Sequence, residues 1–293
     1  MSPLDAKHGS LEMTFTSRGP GAPSILSHLY RKVPMIVQQA LYFDEELPQM
    51  PCVYILSSGG PILEGDHYSV AVTLEPSAMA HISTGAASII ASMQQGEASQ
   101  NQLIRLHRGS YLEWLPQPII PGRGATYHAA TRIVVEPGAS LFWSEVVCCG
   151  RLHHGERFAY RELDMALTVE RPDGTPLFRE RVLLEPSVRS PDEWALLGGF
   201  DHFATILILA DQEDSRALYT LFRAIPRGRM RMSLALLSEG CGLAIRLLAN
   251  DTQLLLEAAR ELCSAVRQRV KGCPLQSEFP WRQGGITQKH TAL

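Results

Sequence analysis

The 293-residue chain sets 27 basic against 30 acidic side chains, and a formal charge of −3 excludes a general electrostatic grip on nucleic acid or anionic lipid. A chain of this length can bury about three quarters of its unfolded surface, and 23 glycines with 19 prolines suit a turn-rich fold better than a helical bundle. The six cysteines, at 52, 148, 149, 241, 263 and 273, include no C-x-x-C pair, and the adjacent Cys148 and Cys149 would form a strained disulfide. Reduced thiols and a soluble cytoplasmic protein are therefore expected. The start Met1-Ser2-Pro3-Leu4-Asp5-Ala6-Lys7 has no apolar signal core, and the run Phe203 to Ala210 is too short to span a bilayer.

In chain order, residues 1–10 read as a flexible start, and Leu11 to Thr16 alternates at period two, as a strand does. Pro34 to Gln39 is compatible with another strand. The apolar run Val53-Tyr54-Ile55-Leu56 then enters a bend, Ser57 to Asp66, before the alternating strand Tyr68 to Leu74. Glycines 59, 60 and 65 permit positive φ or close backbone approach, and Pro61 fixes its own φ, so the bend can present the Asp66 carboxylate in one direction. A plain strand connection capped by an aspartate explains the same residues. The bend matches neither a Rossmann nor a P-loop fingerprint, because a strand rather than a helix follows it and no phosphate lysine is present.

Three turns, Glu75-Pro76-Ser77-Ala78, His107-Arg108-Gly109-Ser110 and Glu136-Pro137-Gly138-Ala139, recur about 30 residues apart between strand-like runs. Stacked β-coils would give this spacing, and so would a sandwich with similar turns. The expectation is a mostly β, solenoid-like body over 11–200 within one unit spanning 11–272, with an α+β part over 201–272 and a polar tail over 273–293. That later part reads as a strand from Phe203, a helix over Asp214 to Ala224, strands at Met230 to Leu236 and Leu243 to Leu248, and a final helix. Asn250, Asp251 or Thr252 can cap this helix; Leu255, Ala258, Ala259, Leu262, Ala265, Val266 and Val270 lie mostly on one face, and Gly272 with Pro274 stops it. The arginines at 223, 227, 229 and 231 read as a solvated turn.

The densest set of metal-ligand types is Cys148-Cys149-Gly150-Arg151-Leu152-His153-His154-Gly155-Glu156. Neighbouring strand residues face opposite ways, so at most one cysteine and one histidine can share a site. Gly150-Arg151 and Gly155-Glu156 also read as a turn closed by an ion pair. Asp66, Glu145, Asp164 and Glu180 are candidate acid/base groups, but no Gly-x-Ser-x-Gly elbow or H-E-x-x-H helix accompanies them. His67 and His81 read as structural. Two alternatives stay open on these residues: a β-solenoid enzyme acting on a carbohydrate or metabolite through carboxylates, and a standalone metal-binding protein centred on 148–156.

The ordered set of motifs resembles the UreD (UreH) family of urease accessory proteins from about Leu11 to Gly272. The matching stretches are Pro34 to Gln39 ahead of Tyr42, the Gly59-Gly60…Gly65-Asp66 bend, His81 to Ser88, Leu112 to Pro121, Gly150-Arg151…Gly155-Glu156, Glu180-Arg181, and Ser233 with Arg246-Leu247-Leu248. Phe279-Pro280-Trp281-Arg282 stands where the family ends in Pro-Arg-x-Trp. The resemblance implies a β-helix-like fold with two helices and no enzymatic activity. It further implies a scaffold that binds UreF, UreG through UreF, and apo-urease, and that helps deliver nickel to the urease active site, with no tightly bound cofactor. Asp66, Ser88, Glu145 and Glu180 fall where the family lines an internal passage for transient nickel.

Overall fold

The computed structural model describes residues 6–275, apart from 195 and 226–227. Two sheets face each other. The seven-stranded one runs Pro176–Leu184, Glu162–Glu170, Thr126–Val135, Ala98–Leu106, His67–Leu74, His8–Ser17, Ser24–Lys32; its five inner strands are parallel and its two edges antiparallel. The ten-stranded one has a parallel centre, Cys52–Ser57, Met79–Thr84, Tyr111–Leu115 and Ser140–Val147, which continues antiparallel through His202–Leu209, Gly242–Ala249 and Arg231–Leu236. From Cys52–Ser57 to Glu162–Glu170 the longer strands alternate between the sheets, which makes the body solenoid-like.

The three recurring turns are the stacked corners of this solenoid. Their third residues, Ser77, Gly109 and Gly138, have φ of 64°, 72° and 82°, a left-handed conformation that glycine adopts without strain. The corners are hydrogen-bonded to one another: Ser77 N donates to Arg108 O at 3.0 Å and Gly109 N to Gly138 O at 3.1 Å. Between the sheets, period-two side chains such as Val70, Val72, Ile104, Ile133, Val53, Ile82, Leu112, Trp114, Leu141 and Trp143 form the main core. Burying each such side chain contributes about 1.5–3 kcal/mol.

The later part is not a separate layer of strands. His202–Leu209 is buried at all eight positions, so it needs cover on both faces: the main core on one and two helices on the other. These are α1 (Gln212–Arg223), capped by Asp211 accepting from Asp214 N at 2.8 Å, and α2 (Thr252–Lys271), capped by Asp251 accepting from Gln253 N at 2.9 Å. Gly272, at φ 80°, ends α2. The expected strand Pro34 to Gln39 is reduced to Met35–Ile36, because the Val37 carbonyl is taken by the Arg31 guanidinium instead of a ladder partner. Arg227, the 279–282 motif and most of the tail lie outside the described residues. Among the described residues no helix is long and apolar enough to cross a membrane.

The buried face of α2 differs from the expected stripe in one respect that matters. Arg267 is 0% exposed. Its Nε and Nη2 each donate to Glu113, both at 2.7 Å, and Nη1 donates to Asp44. Glu113, equally buried on Tyr111–Leu115, also accepts from Tyr111 OH at 2.6 Å and pairs with His81 Nδ1 at 2.7 Å. Asp44 accepts in turn from the backbone N–H groups of Glu46 and Leu47, both at 3.1 Å. One guanidinium thus ties α2 to the sheet and to the 44–47 loop.

Burial alone would push the Glu113 carboxyl up; the hydrogen bonds and charges of Arg267 and His81 outweigh it and hold it at about 2, against an ordinary 4.5. Replacing Glu113 by Gln leaves Arg267 buried with half its counter-charge, and should lower the unfolding free energy in urea by about 3–5 kcal/mol. Arg189→Ala, which breaks an exposed pair with Glu193, should change it by less than about 1 kcal/mol. Because the folded value is depressed, the Glu113 contribution is complete above the unfolded value of 4.5 and is lost as pH falls towards 2. Urea titrations across that window should lose on the order of 3 kcal/mol from this group.

Candidate functional site

The bend at 57–66 is the first corner of the body, joining Cys52–Ser57 to His67–Leu74. Gly60 and Gly65 have φ of 67° and 86°, and a Cβ on Gly59 would lie 2.8 Å from that of Pro34. Asp66 is 1% exposed. Its Oδ1 accepts from Lys7 N at 2.9 Å and its Oδ2 from Leu63 N at 2.8 Å and Tyr68 OH at 3.0 Å, with Lys7 Nζ at 3.1 Å. Burial raises its carboxyl, and these donations more than reverse that, leaving it below the ordinary value. The Asp66 oxygens are thus turned into the bend. Tyr68, which they hold, reaches the space between the sheets.

That space is a chamber of about 530 Å³. Exposed Gly60, Pro61, Gly85 and Ala86 form its rim, and Met35, Ile55, Ile62, Val70 and Trp114 much of its wall. Its polar groups are Ser57, Thr84, Ser88 and Gln117, with Tyr68, Gln100, Gln102, Tyr127 and, furthest along the sheet order, Glu145. Ser88 is placed by pairing of Ser88–Ile90 with Ile119–Pro121, its N–H donating to Pro118 O at 2.8 Å.

Glu145 faces inward because it shares the period-two face of Leu141, Trp143 and Val147. No hydrogen bond or ion pair reaches its carboxyl from the described residues. The residue keeps some accessible surface only because that surface is cavity wall. Burial pushes its carboxyl up to about 7; Arg246 opposes the shift and Glu180 adds to it. Glu145 lies opposite Thr205, and Thr205 opposite Arg246, in one row across three strands. From the other sheet, Glu180 on Pro176–Leu184 meets Arg246 Nη2 at 2.7 Å. Glu145 and Glu180 both line a second cavity of about 10 Å³, with Trp143, Phe203 and Thr205.

The structure therefore brings Ser88 and Glu145 onto one chamber and Glu145 and Glu180 onto a second, small cavity, while Asp66 stands behind the wall. The 150–156 segment lies elsewhere and is a self-closed turn. Arg151 Nε and Nη2 clasp Glu156 at 2.7 and 2.6 Å, Arg123 N donates to Glu156 at 3.0 Å, and Gly155 (φ 68°) ends the short helix Leu152–His154. Any Cβ on Gly150 would meet Glu156 O at 2.1 Å.

The metal-site alternative at 148–156 does not hold geometrically. Cys148 is buried against Thr252 (Sγ to Oγ1 3.3 Å), Cys149 is buried with its N–H on His202 Nδ1 at 3.3 Å, and His153 and His154 are exposed on the turn. Among the described residues no group of three or more His, Cys, Asp or Glu is gathered as for a metal ion. Of the carboxylates considered for an enzyme, Asp66 is consumed by the bend and Asp164 is forked by Arg181 at 2.7 and 2.8 Å, while Glu145 and Glu180 share only the cavity of about 10 Å³. His67 pairs with Ser99 at 2.7 Å and His81 with Glu113, both structural roles. Arg246, foreseen only as a motif residue, and Trp143, not foreseen, are the additions at the site. The signal for the site was present in Leu141-x-Trp143-x-Glu145-x-Val147, a lone acid on the inward face of an apolar strand.

Comparison with known proteins gives this geometry its setting. The profile of the UreD urease accessory protein family matches residues 7–282. The chain is 37% identical over 281 residues to urease accessory protein UreD 3 of Methylorubrum populi, covering 94% of this chain and 90% of that protein. It is 35% identical over 285 residues to urease accessory protein UreD of Photorhabdus laumondii, with 94% and 87% covered, and 34% identical over 267 residues to urease accessory protein UreD 2 of Brucella suis, with 88% and 87% covered. A family profile spanning nearly the whole chain, relatives at this identity and a solenoid-like β body with two late helices agree: the chain belongs to the UreD family of urease accessory proteins.

Proposed function

We propose that this chain is a noncatalytic scaffold of urease maturation, working in the cytoplasm, that binds UreF, UreG through UreF, and apo-urease, and that its chamber passes nickel towards the urease active site. The observation that carries the nickel part is the Glu145 carboxyl, unpaired among the described residues, at the inner end of a sparsely polar chamber whose rim is open. A divalent ion in transit needs oxygen donors spaced widely enough to release it, and a thiolate cage would trap it. Ser88, Glu145 and Glu180 supply such donors in succession. Asp66 contributes from behind the wall, by holding the Tyr68 hydroxyl in place. The six cysteines are all free, as a reducing compartment keeps them.

Co-expression of the chain with its own UreF, UreG and urease tests this. Glu145→Gln removes the charge but keeps the shape, and should lower urease nickel content and activity about 10-fold, the size typical of losing one oriented ligand-holding group, with recovery of the UreF complex unchanged. Asp66→Asn should give a smaller loss. Fully loaded urease from the Glu145→Gln strain would remove the nickel role, and a wild-type chain that never co-purifies with UreF, UreG or apo-urease would remove the scaffold.

A further inference from the structure

The row Glu145–Thr205–Arg246 puts a fixed cation at the place where two carboxylates converge. Arg246 lies on the inner face of Gly242–Ala249, in register with Thr205 on one side and Ser233 on the other, so its backbone is locked in two ladders. Only its side chain can move. That side chain reaches Glu180 at 2.7 Å across the gap between the sheets, and its guanidinium carbon stands 5.0 Å from the Phe203 ring centre. Arg246 and Glu180 are 25% and 30% exposed, so on the proposed route from the rim past Glu145 the pair would stand at the outer end.

Between Glu145 and Glu180 the free space is about 10 Å³, roughly the room of one water molecule. A hydrated divalent ion cannot pass it as it stands, and the Arg246 guanidinium, held on Glu180 and felt at Glu145, adds a repelling charge beside it. The walls nevertheless suit such an ion. They offer two carboxylates, the Thr205 hydroxyl and the indole N–H of Trp143, which is 1% exposed and has no acceptor among the described residues. That N–H is a donor turned to no protein oxygen, and a water ligand carried in on the ion would supply one.

We propose that Arg246 is a built-in stand-in for the travelling cation: its guanidinium occupies the ground between Glu180 and Glu145 that a divalent ion would take, and the passage stays shut until the arginine swings out. The proposal rests on the reading that this chamber carries a divalent metal, and adds to it the element that closes the path. In this arrangement ion and arginine compete for Glu180, and their like charges repel beside Glu145. Arrival of an ion at Glu145 therefore loosens Arg246, and any contact that draws Arg246 outward, towards its exposed side, opens the path.

The test is Ni²⁺ binding to the full chain, measured by titration calorimetry. A site blocked for nine-tenths of the time gains about 10-fold in apparent affinity when the blocker is removed. Arg246→Met and Arg246→Gln should therefore bind Ni²⁺ about 10-fold more tightly than the parent, Arg246→Lys, which keeps the charge, should stay within about 2-fold of it, and the gain should vanish when Glu145→Gln is added. Two neutral variants provide against one of them folding poorly, which circular dichroism and melting would reveal. Folded neutral variants with parental affinity, or a gain that survives Glu145→Gln, would overturn the gate. Urease nickel content in the Glu145→Gln co-expression separates the two ideas: if it falls while Arg246→Met shows no gain, only the gate fails, and if it stays full, the passage itself fails.

Discussion

Everything that depends on the covering helix depends on one buried guanidinium. Arg267 enters an otherwise apolar stripe of α2 and finds Glu113 and Asp44 already held by Tyr111, His81 and two backbone N–H groups. Such an arrangement is not the cheapest way to join a helix to a sheet, since apolar side chains of similar volume often do as well. What it adds is register. A leucine stripe tolerates a helix displaced along its axis or turned about it, whereas a forked guanidinium against one carboxylate permits a single seating.

That seating matters for the chamber through the sheet between them. The strand carrying Glu113 on its outer face carries Leu112 and Trp114 on its inner face. Its neighbour, Ser140–Val147, turns Phe142 and Val146 towards the helices and Trp143 and Glu145 inward. The same two strands therefore answer to α2 on one side and form chamber wall on the other. The unpaired acid is tolerated because the strands around it are fixed from outside by the helices and from the opposite sheet by Glu180 and Arg246.

Much of this organisation was legible in the chain. The coil repeat showed itself because two of its three left-handed corner positions are glycine, and Ser77 at the third weakened the echo without breaking it. The final helix was legible from its cap, its stripe and Gly272. The turn at 150–156 was legible from its bracketing glycines and opposite charges. Convergence was not: Glu180 lies in the sheet opposite Glu145, and no local pattern states which edge strand faces which. Arg267 and Glu113 were hidden for a related reason. Each is 154 residues from the other, and each taken alone looks like an ordinary solvent-facing charge on an amphipathic element. Asp66 was singled out correctly as an oriented carboxylate, but sequence could not tell that its orientation is into its own bend.

The stacked corners carry one consequence for how such a chamber can change. Each coil adds one strand width to the body, about 4.8 Å, and the wall residues rise through the chamber in those steps, from Ile55 through Trp114 to Glu145. The separation between stations is thus quantised by the backbone ladder. Point substitutions can alter which side chain stands at a given level, but the length of the chamber changes only by whole coils, so its chemistry can be retuned residue by residue while its dimensions shift in steps.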